Sequence, residues 1–206
     1  MDLTEPQSSH VPTSTRALKV DFSWKKWKAL IMEDDAPQPE ARYIVDFETM
    51  KSRMIYRSMP EDKIIGTGKL HSFSINAEYE VHGYKDTLLA QKRWQTEYTQ
   101  RSQAFSDTDT PVTMTWTSTS GWKTWDFICM DENQLPVARF SANAWAIRKI
   151  GKIEFMGPKA QSDAVRDEIV VTGLTLFWCM VLRSSSILSF FGAIFASPGK
   201  LKESDK

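Results

Sequence analysis

With 206 residues and 23.6 kDa, the chain has room for one large β domain, or for one ordinary domain with extra segments. Hydrophobic residues at 41% and charged residues at 25% exclude a wholly disordered chain. The 26 basic and 26 acidic residues balance to zero, which excludes the basic surplus of a general nucleic-acid binder.

Residues 1–17 are rich in Ser, Thr and Pro and read as a mobile tail. They contain no apolar signal-peptide core and few basic residues, so a cytoplasmic protein is expected. The next segment, DFSWKKWKALIM (21–32), reads as a helix with Trp24, Trp27 and Ile31 on one face and Lys25, Lys26 and Lys28 as its cations. EDDAPQPEA (33–41) is acidic, holds two prolines and reads as a linker. The predicted division is a tail with a Trp/Lys-rich segment over 1–38, a barrel domain over 39–199 and a charged tail over 200–206.

The middle of the chain is strand-like. Tyr43, Val45 and Phe47 alternate with Arg42, Ile44 and Asp46, and Ala77, Tyr79 and Val81 alternate with Glu78, Glu80 and His82 before a turn at Gly83. Val112, Met114 and Trp116 alternate with Thr113, Thr115 and Thr117; Trp125, Phe127 and Cys129 share a face; Val137–Phe140 and Lys149–Phe155 continue the pattern. Period-two alternation places one face in a core and the other in water. Many such strands with hairpin turns predict an antiparallel sandwich or barrel.

The character changes after Gly157-Pro158. Ser162 suits a helix cap, and Asp163 sits where the helix dipole favours an anion. Ile169–Leu182 carries no charge and is apolar on every side of a helical wheel, so this helix must be surrounded. Arg183 and Ser184–Ser186 interrupt it, and a second apolar run, Ile187–Phe195, follows. A barrel of amphipathic strands must fill its interior. Threading the helix through the barrel meets both demands. The predicted fold is therefore mainly β, an antiparallel barrel enclosing one hydrophobic C-terminal helix, for which the resemblance described next implies about twelve strands.

Strands over 41–156 followed by DAVRDEIVVTGLTLFWCMVL (163–182) resemble the tubby C-terminal-like superfamily, which includes tubby proteins, phospholipid scramblases and LURP-one-related proteins. In that fold twelve strands enclose a central hydrophobic helix. GWKTWDFICMDENQLPVARFSANAW (121–145) is similar to the scramblase-like pattern of a Trp/Phe strand, an acidic turn and a returning strand. The resemblance covers about residues 40–197 and points to a small filamentous-fungal member, some relatives of which belong to specialised-metabolite pathways. Neither the phosphoinositide-binding basic pair of tubby proteins nor a scramblase calcium-binding segment is matched, so no site residue is carried over.

The residues themselves offer few catalytic patterns. Gly66-Thr67-Gly68-Lys69 keeps only the end of a phosphate loop, and its glycines are better explained by a strand bulge. Cys129 and Cys179 lack CxxC spacing and read as small apolar fillers. No metal cluster and no cofactor motif is present in the sequence. His71, near Ser72 and Ser74, and His82, near Glu80, are the acid–base candidates, because imidazole titrates near neutrality. Asp126 joins them only if it faces inward; alternation turns it outward, away from Trp125 and Phe127. The plain alternative for all three is a solvated strand face. Arg139, Arg148, Lys149 and Lys152 form a candidate anion-binding cluster, with ordinary cross-strand ion pairing as the alternative. Lys92, Arg93 and Trp94 form a smaller one.

Trp24, Trp27, Phe190 and Phe191 are the candidate membrane or partner contacts. A spanning helix needs about 20 apolar residues. Extending the first run to Phe195 would bury Arg183, at roughly 2.5–3.5 kcal/mol. Three functions follow. The first is a module binding a lipid or another apolar small molecule. The second is a cofactor-independent cyclase or isomerase of a specialised-metabolite pathway, its pocket drawing together His71, His82, Asp126 or a Tyr. The third is an interaction protein peripheral to a membrane, for which truncation near residue 38 should abolish partner binding and preserve the fold.

Overall fold

The computed structural model describes residues 17–23, 25–34, 36, 40–71, 74–92, 96–118, 125–142 and 149–195, with side chains for all of these except 125, 149, 150 and 184–195. Twelve strands form one closed barrel: β1 (Ala17–Ser23), β2 (Lys28–Glu33), β3 (Ala41–Glu48), β4 (Arg53–Ser58), β5 (Lys63–Leu70), β6 (Ala77–Val81), β7 (Tyr84–Ala90), β8 (Glu97–Ser102), β9 (Val112–Ser118), β10 (Trp125–Met130), β11 (Pro136–Ala142) and β12 (Lys149–Phe155). Each strand pairs antiparallel with its neighbour in sequence, and β12 returns to pair with β1. An even number of strands is what such an up-and-down meander needs to close antiparallel. Helix α1 (Asp163–Phe195) follows a short 3-10 turn at Pro158–Gln161.

The helix occupies the lumen. It meets β1 through Trp178 on Phe22, β3 through Asp167 on Tyr43, β4 through Thr175 on Tyr56, β8 through Glu168 on Gln100 and β11 through Phe177 on Phe140. Residues from Val165 to Cys179 are buried without a break on any side. Strand side chains alternate into this core as the sequence pattern requires: Tyr43 and Val45, Tyr79 and Val81, Met114 and Trp116, Phe127 and Cys129, Ala138 and Phe140 are all buried. Apolar strand faces and an all-round apolar helix thus exclude water from each other.

Two expectations are corrected. Residues 21–32 form a hairpin of β1 and β2 rather than a helix, so the barrel takes in residues 17–33 and its boundary does not lie at 38/39. Leu18, Val20 and Phe22 alternate inward on β1, and Ala29 and Ile31 on β2. Without these two strands β3 and β12 would be open edges. The helix also does not stop at Arg183 but runs on to Phe195. Arg183 escapes burial as a bare charge because its guanidinium donates to the Tyr98 hydroxyl at 2.7 Å. Residues 1–16, read as part of the N-terminal tail, and 196–206, which include the charged tail read over 200–206, lie outside the described residues.

Two strands are hard to see in the sequence for a physical reason. β8 turns Tyr98, Gln100 and Ser102 inward, so its buried face is polar. β5 carries Gly66 and Gly68 where a side chain has no room: a Cβ at Gly68 would overlap the Thr175 hydroxyl of the helix, and one at Gly66 would overlap the Glu80 carbonyl of β6 and crowd Val171 of the helix at 3.1 Å. The β4–β5 register shifts beside Tyr56 and Gly66, the bulge expected at these glycines.

Candidate functional site at the two mouths of the barrel

The antiparallel meander places strand ends alternately at two mouths of opposite chemistry. The helix enters at a polar mouth and leaves at an aromatic one.

At the polar mouth the first turns of α1 bury three charged residues in a row, Arg166, Asp167 and Glu168. Arg166 donates to Glu33 at 2.6 Å and lies 5.2 Å over the Phe155 ring. Arg42 reaches Glu33 at 3.8 Å and Asp163 at 2.7 Å. Asp167 accepts from the Tyr43 hydroxyl at 2.8 Å and bonds the His82 Nε2 at 2.9 Å. Burial and the Asp167 charge push the Tyr43 phenol up. Glu168 accepts from Gln100 at 3.4 Å and from the Ala104 backbone N–H at 3.3 Å. Burial pushes its carboxyl up to about 7, outweighing the hydrogen bonds from Ser102, Ala104 and Gln100 that favour its charged form.

At the aromatic mouth Trp178 packs on Phe22, Phe47 and Phe177 with ring centroids 5.0, 4.8 and 5.3 Å apart. Trp27 stands on the β1–β2 turn, 6.4 Å from Phe22 and 46% exposed. Of the eight large apolar side chains exposed among the described residues, five lie at or next to this rim: Trp27, Met50, Ile75, Leu89 and Leu182. Met50, at the β3–β4 turn, is fully exposed. Lys25 and Lys26 on the Trp27 turn are exposed and, among the described residues, take part in no ion pair. Lys28 is held by Asp46 at 3.0 Å.

His71, His82 and Asp126 are not brought together. His71 follows β5 at the aromatic end and pairs with the exposed Glu78 at 3.0 Å. His82 turns the β6–β7 hairpin at the polar end. Asp126 faces outward, as alternation required, and bonds Arg139 at 2.9 Å. Burial works to raise its carboxyl, but hydrogen bonds from Ser141 and Arg139 hold it below the usual range. Of the four-cation cluster, only Arg139 and Lys152 have described side chains, and each is taken up by carboxylates. Arg139 belongs to Asp126, while Lys152 is shared by Asp34 at 3.1 Å and Glu154 at 3.3 Å. The result is an outer-wall ladder of alternating charge, the cross-strand alternative. Arg148 and Trp24, and the side chains of Lys149, Phe190 and Phe191, lie outside the described residues.

The partner of His82 escaped sequence reasoning because Asp167 lies 85 positions away, on the helix. Asp167 sits beside Arg166 and Glu168 just before the apolar run, and a charged triplet entering a closed barrel was the signal available. Among the described residues no group of three or more His, Cys, Asp or Glu could hold a metal ion, and no helix is long and apolar enough to cross a membrane. Two grooves lie on the outer wall of β4–β7, one of about 520 Å³ and one of about 410 Å³. No protein family, no curated protein and no solved structure matches the chain.

Proposed function

We propose that the chain is a tubby-like barrel that binds a lipid surface through its aromatic mouth. The observation that carries this reading is the gathering of exposed Trp27, Met50, Ile75, Leu89 and Leu182 at one rim, beside exposed Lys25 and Lys26. An amphipathic Trp ring with flanking lysines suits the boundary between headgroups and acyl chains. The helix fills the lumen, so apolar contact with a ligand falls to the mouth rather than to an interior pocket. The backbone of α1 continues past Arg183 through SSSILSFFGAIF, which carries no charge. The closed barrel around a central helix accords with the tubby-like resemblance.

Co-sedimentation with vesicles tests the proposal. Phosphatidylcholine vesicles containing phosphatidylserine should retain the protein, and added salt should release it. Lys25→Ala with Lys26→Ala should remove about 2 kcal/mol, roughly a thirtyfold loss of affinity, at about 1 kcal/mol per lysine. Trp27 has a φ of 49°, so Trp27→Gly removes the ring in a conformation glycine adopts freely, and it should also weaken retention. Equal retention of wild type and both variants would overturn the reading.

A further inference from the structure

The polar mouth carries a feature that lipid docking does not use. His82 and Gly83 form the two-residue turn between β6 and β7, with φ values of 49° and 86°. Both residues at positive φ is the type I′ pattern, which Asn-Gly serves best. A histidine there costs backbone energy that an ordinary turn residue would avoid. The turn is pinned from below by the His82 backbone N–H, which donates to the Ile65 carbonyl at 2.8 Å.

The ring is pinned as well. Its Nε2 lies 2.9 Å from Oδ2 of Asp167, whose side chain is only 11% exposed and whose Oδ1 takes the Tyr43 hydroxyl at 2.8 Å. A carboxylate accepts only, so Nε2 carries a hydrogen, and in the neutral form of the ring the lone pair is on Nδ1. Among the described residues nothing bonds Nδ1. The imidazole is 40% exposed and lines the outer-wall groove of about 410 Å³. Lys63, exposed Ile64, Thr67 and Glu80 line the same groove. Glu80 faces Lys85 at 3.7 Å, and Lys63 takes part in no ion pair among the described residues. His71 is the internal contrast: its partner Glu78 is solvated, and the ring does not line this groove.

We propose that this groove is an acid–base site for a small enolisable carboxylic acid, with His82 as the proton-transferring group, Asp167 as its positioning residue and Lys63 as the carboxylate anchor. Ile64 meets the apolar part of the substrate. In the enol-to-ketone shift, Nδ1 accepts the hydroxyl proton as the O–H bond breaks. The C–O bond becomes C=O, and the C=C electrons take a proton back from the imidazolium to form the new C–H bond. No oxidant, reductant or second substrate is consumed. A base held by a buried carboxylate at the edge of a substrate-sized groove is the arrangement that general acid–base chemistry requires.

Ketonisation of phenylpyruvate enol, followed by ultraviolet absorbance with full-length protein, is the test. The expected rate exceeds that of free imidazole at equal concentration. His82→Asn should lower it at least tenfold and should fold well, because Asn suits the turn. Lys63→Ala should raise KM and leave kcat within about twofold, and His71→Asn should change neither. Imidazole ¹⁵N shifts of wild type should report the Nε2–H tautomer, and Asp167→Asn should shift that population. A rate no greater than that of imidazole, a rate indifferent to His82→Asn, or an Nδ1–H tautomer would each overturn the proposal. The test does not depend on membrane docking, since it uses no lipid and none of the residues at the aromatic rim.

Discussion

At the scale of single residues, the buried charges of the polar mouth decide how the fold responds to pH. Glu168 has a folded pKa of about 7, raised from an ordinary 4.5 by burial. Its folded carboxyl holds the proton more tightly than the unfolded one. The associated stability is complete below about pH 4.5 and is lost as pH rises through about 7. The difference corresponds to about 3 kcal/mol at most. Urea midpoints at pH 5 and pH 9 should therefore fall for the wild type across that interval, and Glu168→Gln should fall less. Equal slopes would show that other groups set the pH response. Arg183 is the opposite case: it reads in the sequence as a break in the helix, yet its guanidinium donates to the Tyr98 hydroxyl and the Met180 sulfur, and the helix continues past it.

At the scale of elements, the close contact of β5 with α1 rests on missing side chains. Gly68 leaves room for Thr175, whose hydroxyl is 2.9 Å from the Tyr56 hydroxyl. Gly68→Ala should cost about 1–3 kcal/mol by overpacking. Thr175→Ala removes both the hydroxyl and the methyl that the new Cβ would meet, at the cost of a partner for Tyr56. The double variant should therefore be more stable than the sum of the single effects, with a coupling of about 0.5–3 kcal/mol in a thermal double-mutant cycle. Additivity would show that β5 can move away from the helix. Hydrogen bonding explains why Thr172 and Thr175 are tolerated on a buried helix. Thr172 donates to the Glu168 carbonyl at 2.8 Å, and Thr175 is bonded to Tyr56.

For the whole molecule, closure is the organising fact. Removing residues 1–38 would delete β1 and β2 and with them the buried side chains of Leu18, Val20, Phe22, Ala29 and Ile31. At roughly 1.5–3 kcal/mol for each of the larger ones, the loss is on the order of 10 kcal/mol, comparable to the total stability of an ordinary domain. The truncated chain should lose its cooperative thermal transition by circular dichroism and elute as aggregate. A retained transition would mean that the ten remaining strands close without the hairpin. Truncation near residue 38 therefore cannot separate docking from folding, and point changes at Lys25, Lys26 and Trp27 must do so.

The barrel and its central helix were legible because periodicity is local. Alternation at Tyr43–Phe47, Ala77–Val81 and Val112–Trp116 declares one wet and one dry face. An uncharged run from Ile169 to Leu182 declares a helix that must be enclosed. The outward direction of Asp126 was legible for the same reason. The first hairpin was not, because a Trp- and Lys-rich turn breaks the alternation of β1 and β2 where helical spacing also fits. The polar face of β8 was not, because the hydrogen-bond partner of buried Gln100 is Glu168, on a helix distant in sequence. The pairing of His82 with Asp167, the division of Arg139 and Lys152 between separate carboxylates, and the gathering of exposed apolar residues at one mouth depend on the closed tertiary structure. Short-range pattern determines which side of each element avoids water. Only closure of the chain decides which polar groups then have to face one another.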